Sequence, residues 1–341
     1  MKILYAFQGT GNGHVARARD LIPRFALHGE VDALIAGLES DIDLGFPIRY
    51  QLKGLAMVYD KNGAVSYWNS LLRNNLLRFI VDVIRLPVRS YDLVVIDFEA
   101  VTSFACLLKG VKSLQLSHQA AYLSQLSPRP RKRSIHWELV LRYMSPSSYA
   151  IGFHFSAYDT FILPPIIRKE IRVLTPTIGD YYTVYLPSYS VSYLVDFFKR
   201  FENERFQIFT KEDVDYQKYN TRVFKASVEE FKTSLVHSKG LICGAGFEAP
   251  AEARYLGKKV LVCPIKGQYE QLCNGIASQD VGAFFVSSVD DSQRLIFHEF
   301  FNSSAAERMA WKDYADDLVR CIVNNAINRK PLDDISSLQV W

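Results

Sequence analysis

The chain has 341 residues, which at about 150 residues per domain suggests two domains. Hydrophobic residues make up 49% and charged residues 22%, the balance of an ordinary globular protein, so collagen-like, disordered and disulfide-scaffold classes are excluded. Lys and Arg total 40 against 36 for Asp and Glu, and a net charge of +4 is too small an excess to argue for a nucleic-acid surface.

Met1-Lys2 leads into a short apolar run, Ile3 to Phe7, which Gln8 and glycines break before it reaches the length of a signal peptide. No uncharged apolar stretch approaches about 18 residues, so no membrane-spanning helix is expected. Cys106, Cys243, Cys263, Cys273 and Cys321 are scattered and form no C-x-x-C pair. They read as buried thiols of a reducing compartment, and a cytoplasmic protein is expected.

Short apolar runs alternate with amphipathic segments, the pattern of βαβ units and an α/β fold with parallel sheets. The first half predicts strands at Lys2–Gln8, Ala33–Ala36, Leu93–Asp97, Ser113–Leu116 and Tyr149–His154, with helices at Val15–Leu27, Ser70–Leu86, Ala100–Lys109 and Ile135–Tyr143. A proline-rich stretch from Leu163 to Thr177 lacks a clean period and marks the domain boundary. The second half predicts strands at Tyr182–Leu186, Phe206–Thr210, Arg222–Phe224, Gly240–Cys243, Lys259–Pro264 and Ala283–Val286. Its helices are expected at Val191–Phe201, Val228–Leu235, Glu248–Leu256, Tyr269–Ser278 and Asp290–Phe300, and a long final helix at Ala305–Ile327.

Two glycine-rich turns carry the chemistry. The first strand runs into Gly9-Thr10-Gly11-Asn12-Gly13-His14 and then a helix, where backbone N–H groups can approach a ligand closely. The dinucleotide fingerprint fails because its third glycine falls on His14, and the Gly-Lys-Ser/Thr of a phosphate loop is absent. A histidine at that first helical turn faces the open end of the sheet and suits a general base. In the second half, Gly244-Ala245-Gly246-Phe247-Glu248 follows a strand and opens a helix that carries Glu252 one turn on. Gly267-Gln268-Tyr269-Glu270-Gln271 follows the next strand, with Asn274 three residues beyond Gln271 on the same helix face, so the two amides can bind vicinal hydroxyls together.

These two constellations, Gly9–His14 and Gly244–Asn274, resemble those of GT-B glycosyltransferases, close to the family-28-like enzymes that include the transferase adding N-acetylglucosamine to lipid-linked muramyl peptide. Ile151–Phe155, Val184–Ser188 and Gly267–Asn274 are also similar to a group of bacterial and archaeal glycosyltransferases of undefined substrate. The resemblance implies two Rossmann-like domains facing a cleft: residues 1–160 on the acceptor side, 161–304 on the nucleotide-sugar side, and 305–341 crossing back to the first. It implies that Gly246 and Phe247 hold the diphosphate and Glu252 the ribose. Gln268, Glu270, Gln271 and Asn274 would meet the donor sugar, with Ser188 and Lys225 to Ser227 near the nucleotide. His14 would sit by the acceptor hydroxyl. No arginine precedes the second glycine loop, which leaves Lys225 and Lys266 as candidates to neutralise the phosphates.

Asp97 and Glu99 after one strand and His118 after the next stand at carboxyl ends that surround the crevice of an open parallel sheet. They can deprotonate an acceptor or orient His14, or serve as caps and loop polars. The D-x-D pairs Asp41/Asp43 and Asp213/Asp215 lack strand context, and His298-Glu299 lacks its second histidine, so no required metal or cofactor is expected. Segment 72–86 places Leu72, Leu76, Phe79, Ile80 and Val83 on one face, with Arg78, Arg85 and Arg89 opposite, near the basic run Arg129 to Arg133. A core helix with a solvated face accounts for this, as does a rim on an anionic membrane suited to a lipid-linked acceptor. A metal-independent glycosyltransferase using a UDP-sugar is expected; a nucleotide-sugar epimerase and a non-catalytic nucleotide-sugar binding protein are the alternatives.

Overall fold

The apolar runs of the chain assemble into two seven-stranded sheets in a computed structural model that describes residues 1–10, 12–37, 44–55, 75–338 and 340. The first sheet contains β1 (Lys2–Gln8), β2 (Glu30–Ala36), β3 (Ile48–Leu52), β4 (Leu93–Asp97), β5 (Leu114–Ser117), β6 (Tyr149–Phe153) and β7 (Ile162–Leu163). Its order is β3-β2-β1-β4-β5-β6-β7, parallel throughout. The second contains β8 (Tyr181–Tyr185), β9 (Arg205–Thr210), β10 (Tyr216–Lys218), β11 (Thr221–Lys225), β12 (Gly240–Gly244), β13 (Lys259–Cys263) and β14 (Phe284–Phe285). Its order is β10-β11-β9-β8-β12-β13-β14, parallel except for β10 against β11. This is the expected α/β architecture. β1 is buried at every residue after Lys2 and β4 along its whole length, because helices cover both faces of a parallel sheet.

The helices are α1 (Asn12–Ala26), α2 (Leu76–Arg85), α3 (Ala100–Lys109), α4 (Ile135–Tyr143), α5 (Lys169–Arg172), α6 (Val191–Phe198), α7 (Val228–His237), α8 (Glu248–Tyr255), α9 (Tyr269–Ser278), α10 (Arg294–Asn302) and α11 (Ala315–Ile327). One apolar core runs from the face of the first sheet under α1, against which α11 packs, through Ile166, Ile167 and Ile171 of the connection, to the face of the second sheet under α8. Arg24 of α1 meets Asp316 of α11 at 2.6 Å. The aromatic excess concentrates in a separate core of the second half, where Tyr182, Phe197, Phe198, Phe201, Phe206, Phe297 and Phe300 pack together.

Three expectations change. The final helix starts at Ala315 rather than Ala305, because tertiary partners take the backbone of 305–314: Met309 N–H donates to the Arg254 carbonyl, and Arg172 donates to the carbonyls of Trp311 and Lys312. Leu76 and Ile80, expected in the core, are 51% exposed, since only the stripe around Phe79 and Val83 faces α3; Ser70 and Leu72 lie outside the described residues. Edge strands β3, β7 and β10 are short and mixed in composition, and periodicity does not reveal them.

Gly9 lets β1 turn into α1 beside β2. A Cβ there would stand 2.1 Å from the Gly37 carbonyl oxygen, and the Gly9 N–H donates to Ala36 O at 2.7 Å. Gly9→Ala is expected to destabilise the fold by about 2 kcal/mol, as overpacking against rigid backbone does. A lower urea midpoint at unchanged m-value measures it.

Candidate active site

In each sheet the strand order reverses once, between β1 and β4 and between β8 and β12, and the carboxyl ends at such a point open a crevice. The first crevice gathers the start of α1 and the end of β4. Asp97, the last residue of β4, is fully buried. His14 Nδ1 lies 2.8 Å from its Oδ1, and Arg17, one helical turn beyond His14, donates Nε to Oδ2 at 2.8 Å and a second N–H to Oδ1 at 3.0 Å. Burial by itself raises a carboxyl; the Arg17 and His14 charges more than reverse this and hold Asp97 below the usual carboxylate range. A carboxylate only accepts, so His14 carries its proton on Nδ1 and leaves Nε2 as the basic nitrogen. Phe98 follows Asp97 at φ 52°, a left-handed conformation costing on the order of 1 kcal/mol, and its ring lies parallel to His14 at 6.5 Å.

The second half meets this dyad directly. Arg17 also donates to Glu248, the first residue of α8. Burial pushes the Glu248 carboxyl up to about 7, against the opposing charge of Arg17. Gln119 Nε2 donates to Glu270 of α9 at 2.9 Å and lies 3.5 Å from His14 Nε2. Burial also raises the Glu270 carboxyl, opposed by His14 and the Gln119 bond. His118 bonds the Phe153 carbonyl through Nδ1 at 2.8 Å and the Asn274 amide through Nε2 at 2.7 Å, while its ring stacks on Phe247 at 4.0 Å. Tyr122 donates to the same amide. Burial drives His118 down to about 4 and His154 well below its ordinary value.

His14, Asp97, His118, Phe247, Glu270 and Asn274 therefore come together at one interface. Gly9, Thr10, Asn12 and Gly13 form the turn beside them, with Gln8 Nε2 bonding Thr10 Oγ1 at 3.0 Å, while Gly11 lies outside the described residues. Gly244 and Ala245 lead to Gly246, where a Cβ would meet nothing within 4 Å. Glu252 is buried and both its oxygens are taken by Arg168, at 2.6 and 2.8 Å. Gln271 Oε1 accepts from Ile265 N–H at 3.0 Å, and Gln268 stands at the N-cap of α9.

Several expected residues do other work. Glu99 is fully buried and both oxygens cap α3, accepting from Val101 N–H at 2.6 Å and Thr102 N–H at 2.7 Å, so it does not line an acceptor loop. Ser227 caps α7: its Oγ accepts from Glu230 N–H at 3.2 Å, and its hydroxyl donates to Glu230 Oε2 at 2.8 Å. Lys225 pairs with Asp213 on the surface, Asp215 pairs with Arg222, and Ser188 and Lys266 are exposed. Asp41 and Asp43 lie outside the described residues. Cys321 is partly rather than fully buried.

Arg17, Gln119, Glu248 and Arg168 are absent from the candidates drawn from sequence. Arg17 stands one turn beyond His14, a spacing that signals a shared face; the others acquire partners from elements more than 80 residues away in the chain.

The model of glycosyl transferase family 1 matches residues 1–302. Among solved structures, MurG of Acinetobacter baumannii is similar at 15% identity over 88% of this chain and 91% of that one, with a TM-score of 0.53. The glycotransferase of kitacinnamycin is similar at 12% identity over 100% and 99%, with a TM-score of 0.59. Arabidopsis thaliana UGT89C1 complexed with quercetin is similar at 12% identity over 98% of each chain, with a TM-score of 0.58. At such identities the likeness is one of fold, and the fold is GT-B. No curated protein sequence matches the chain.

Asp97→Asn leaves the Arg17 guanidinium buried with its main counter-charge removed, and a loss of about 3 kcal/mol is expected. Because the folded-state proton affinity of Asp97 is depressed, the wild-type contribution is present above the unfolded value of about 3.9 and is lost as pH falls through the folded value. Urea unfolding of both proteins between about pH 3 and about pH 7 tests this: their stabilities should converge in acid.

Proposed function

The chain belongs to glycosyl transferase family 1, and we propose that it moves a hexosyl or N-acetylhexosaminyl group from a nucleotide-diphosphate donor to an acceptor hydroxyl without a required metal. The observation that carries this reading is the His14–Asp97 pair at 2.8 Å, with Nε2 beside Gln119, which itself bonds Glu270 of α9. His14 Nε2 takes the acceptor proton as the oxygen attacks the anomeric carbon. Asp97 holds Nδ1–H and stabilises the imidazolium that forms. The departing diphosphate meets the N–H groups of Gly246, Phe247 and the first turn of α8. Glu252 binds the ribose once Arg168 yields it, and Gln268, Glu270, Gln271 and Asn274 hold the sugar, with Ser188, Lys225 and Ser227 at the rim. Residues 1–160 form the acceptor side, 161–304 the donor side, and 305–341 cross back.

Similar structures titled as complexes with UDP, those of LpCGTa and UGT89C1, support UDP as the nucleotide. Binding of UDP-, GDP-, ADP- and dTDP-sugars, detected on the ligand, tests the donor. His14→Ala should keep nucleotide affinity and lose about 10²- to 10⁴-fold in turnover, the range of a general base; Glu252→Ala should weaken binding. Unchanged affinity in Glu252→Ala would remove Glu252 from the donor site.

The acceptor side extends to a cytoplasmic, peripheral contact with an anionic leaflet and a lipid-linked acceptor of cell-envelope or polysaccharide synthesis. No helix among the described residues is long and apolar enough to cross a membrane. α2 instead exposes Leu77 (78%), Ile84 (58%) and Leu76 beside Arg78 and Arg85, and α4 exposes Ile135 next to Arg131, Lys132 and Arg133. Each basic residue contributes about 1 kcal/mol near such a surface. The full chain should sediment with phosphatidylglycerol vesicles and not with phosphatidylcholine vesicles. The double substitution Leu77→Glu and Ile84→Glu should abolish this while sparing nucleotide binding.

A further inference from the structure

The gap between the two glycine-opened helices is already filled by an anion of the chain itself. α1 starts at Asn12 and α8 at Glu248, and the two N-termini converge: a Cβ on Gly13 would stand 3.2 Å from Glu248 Cγ. Helix N-termini carry unpaired N–H groups and the positive ends of the helix dipoles. The Arg17 guanidinium, its side chain 4% exposed, closes the same gap through its ion pair with Glu248. Two helix starts and a guanidinium make the surroundings a diphosphate requires, and the Glu248 carboxylate occupies them.

We propose that Glu248 occupies the place of the donor's diphosphate, and that a nucleotide-sugar binds by displacing it from Arg17, with Glu248 taking up a proton. This rests on the donor reading above and adds how that site is kept filled and opened. Arg17 then becomes the phosphate cation that no residue before the second glycine loop supplies.

The charged groups around Glu248 are Arg17 with His14 beside it on α1, Asp97 at the end of β4, Glu252 on its own helix, and Arg168 from the connection between the sheets; the Tyr5 and Tyr314 hydroxyls also face it. With Glu170 also paired to Arg168, four carboxylates share two guanidinium groups, and a diphosphate would add further negative charge to a set already in excess. One carboxylate must give up its charge. Asp97 is locked by His14 and two Arg17 bonds, and Glu252 by both donors of Arg168. Among the described residues Glu248 has one side-chain hydrogen-bond partner, Arg17, and burial has already pushed its carboxyl up to about 7, so its protonation near neutral pH is cheap. A bound diphosphate raises its proton affinity further. Nucleotide-sugar affinity is therefore full below about pH 7 and weakens about tenfold per pH unit above it, until Glu248 ionises in the complex as well.

Calorimetric titration of the full chain with UDP-glucose, GDP-mannose, dTDP-glucose and ADP-glucose reads this, since their diphosphates keep one charge state across neutral pH. In buffers of different ionisation enthalpy, the wild-type chain should take up about one proton per nucleotide-sugar at about pH 8, a result that needs no variant. Glu248→Gln, neutral at every pH, should bind about tenfold more tightly than wild type at about pH 8 and lose the pH dependence. Binding without proton uptake overturns the inference and leaves the donor reading intact. So does weaker binding by Glu248→Gln with the pH dependence retained, which would make Glu248 a latch between the two halves. Binding of none of the four by either protein removes the donor reading and this inference with it.

Discussion

A carboxylate withdrawn completely from water, as Asp97 is at the end of β4, has to be neutralised where it stands, because an unpaired buried charge costs more than a domain can spare. Two side chains from the first turns of α1 do this. Their bonds seat the helix over the carboxyl end of the first sheet and aim His14 outward. Arg17 has donors left over, and one of them reaches Glu248 at the start of α8. The same guanidinium thus orients the dyad, anchors α1 and ties the first half of the chain to the second. The strained backbone of Phe98 and the close approach of Gly13 to Glu248 follow from crowding two helix starts around one carboxylate.

Of the three histidines near this interface, burial assigns two to packing. His118 and His154 are 2% and 0% exposed and are pushed below their ordinary pKa by burial, one stacked on Phe247 and bonded to Asn274, the other edge-on to the same aromatic group. His14 keeps a 12% exposed side chain, and its Nε2 lies 3.5 Å from Gln119 Nε2, which itself bonds Glu270. Of the three rings, the fold leaves His14 the most reachable.

Much of the site was legible residue by residue. Glycines at strand-to-helix turns announce close backbone approaches, and a histidine or aspartate at a parallel strand's carboxyl end falls in the crevice by topology alone. Glu99 and Ser227 misled for a related reason: a polar residue just after a strand is as often the cap of the next helix, and nothing local distinguishes the two. The sequence also showed no arginine directly before the second glycine loop. Arg17 lay three residues beyond His14, but its proximity to the second glycine loop depends on how the two sheets dock.

The amino-acid sequence by itself determined the alternation of buried strands and helices, the two glycine turns and the placing of His14 and Asp97 at strand ends, because these follow from periodicity and short-range backbone constraints. Only the tertiary structure decided that Arg17 is shared between Asp97 and Glu248, that Glu252 is held by Arg168, that residues 305–314 stay out of the last helix, and that α2 leaves apolar side chains uncovered. Each of those outcomes turns on which distant group arrives first to satisfy a buried charge, a carbonyl or an apolar face, and that competition is settled between elements far apart in the chain.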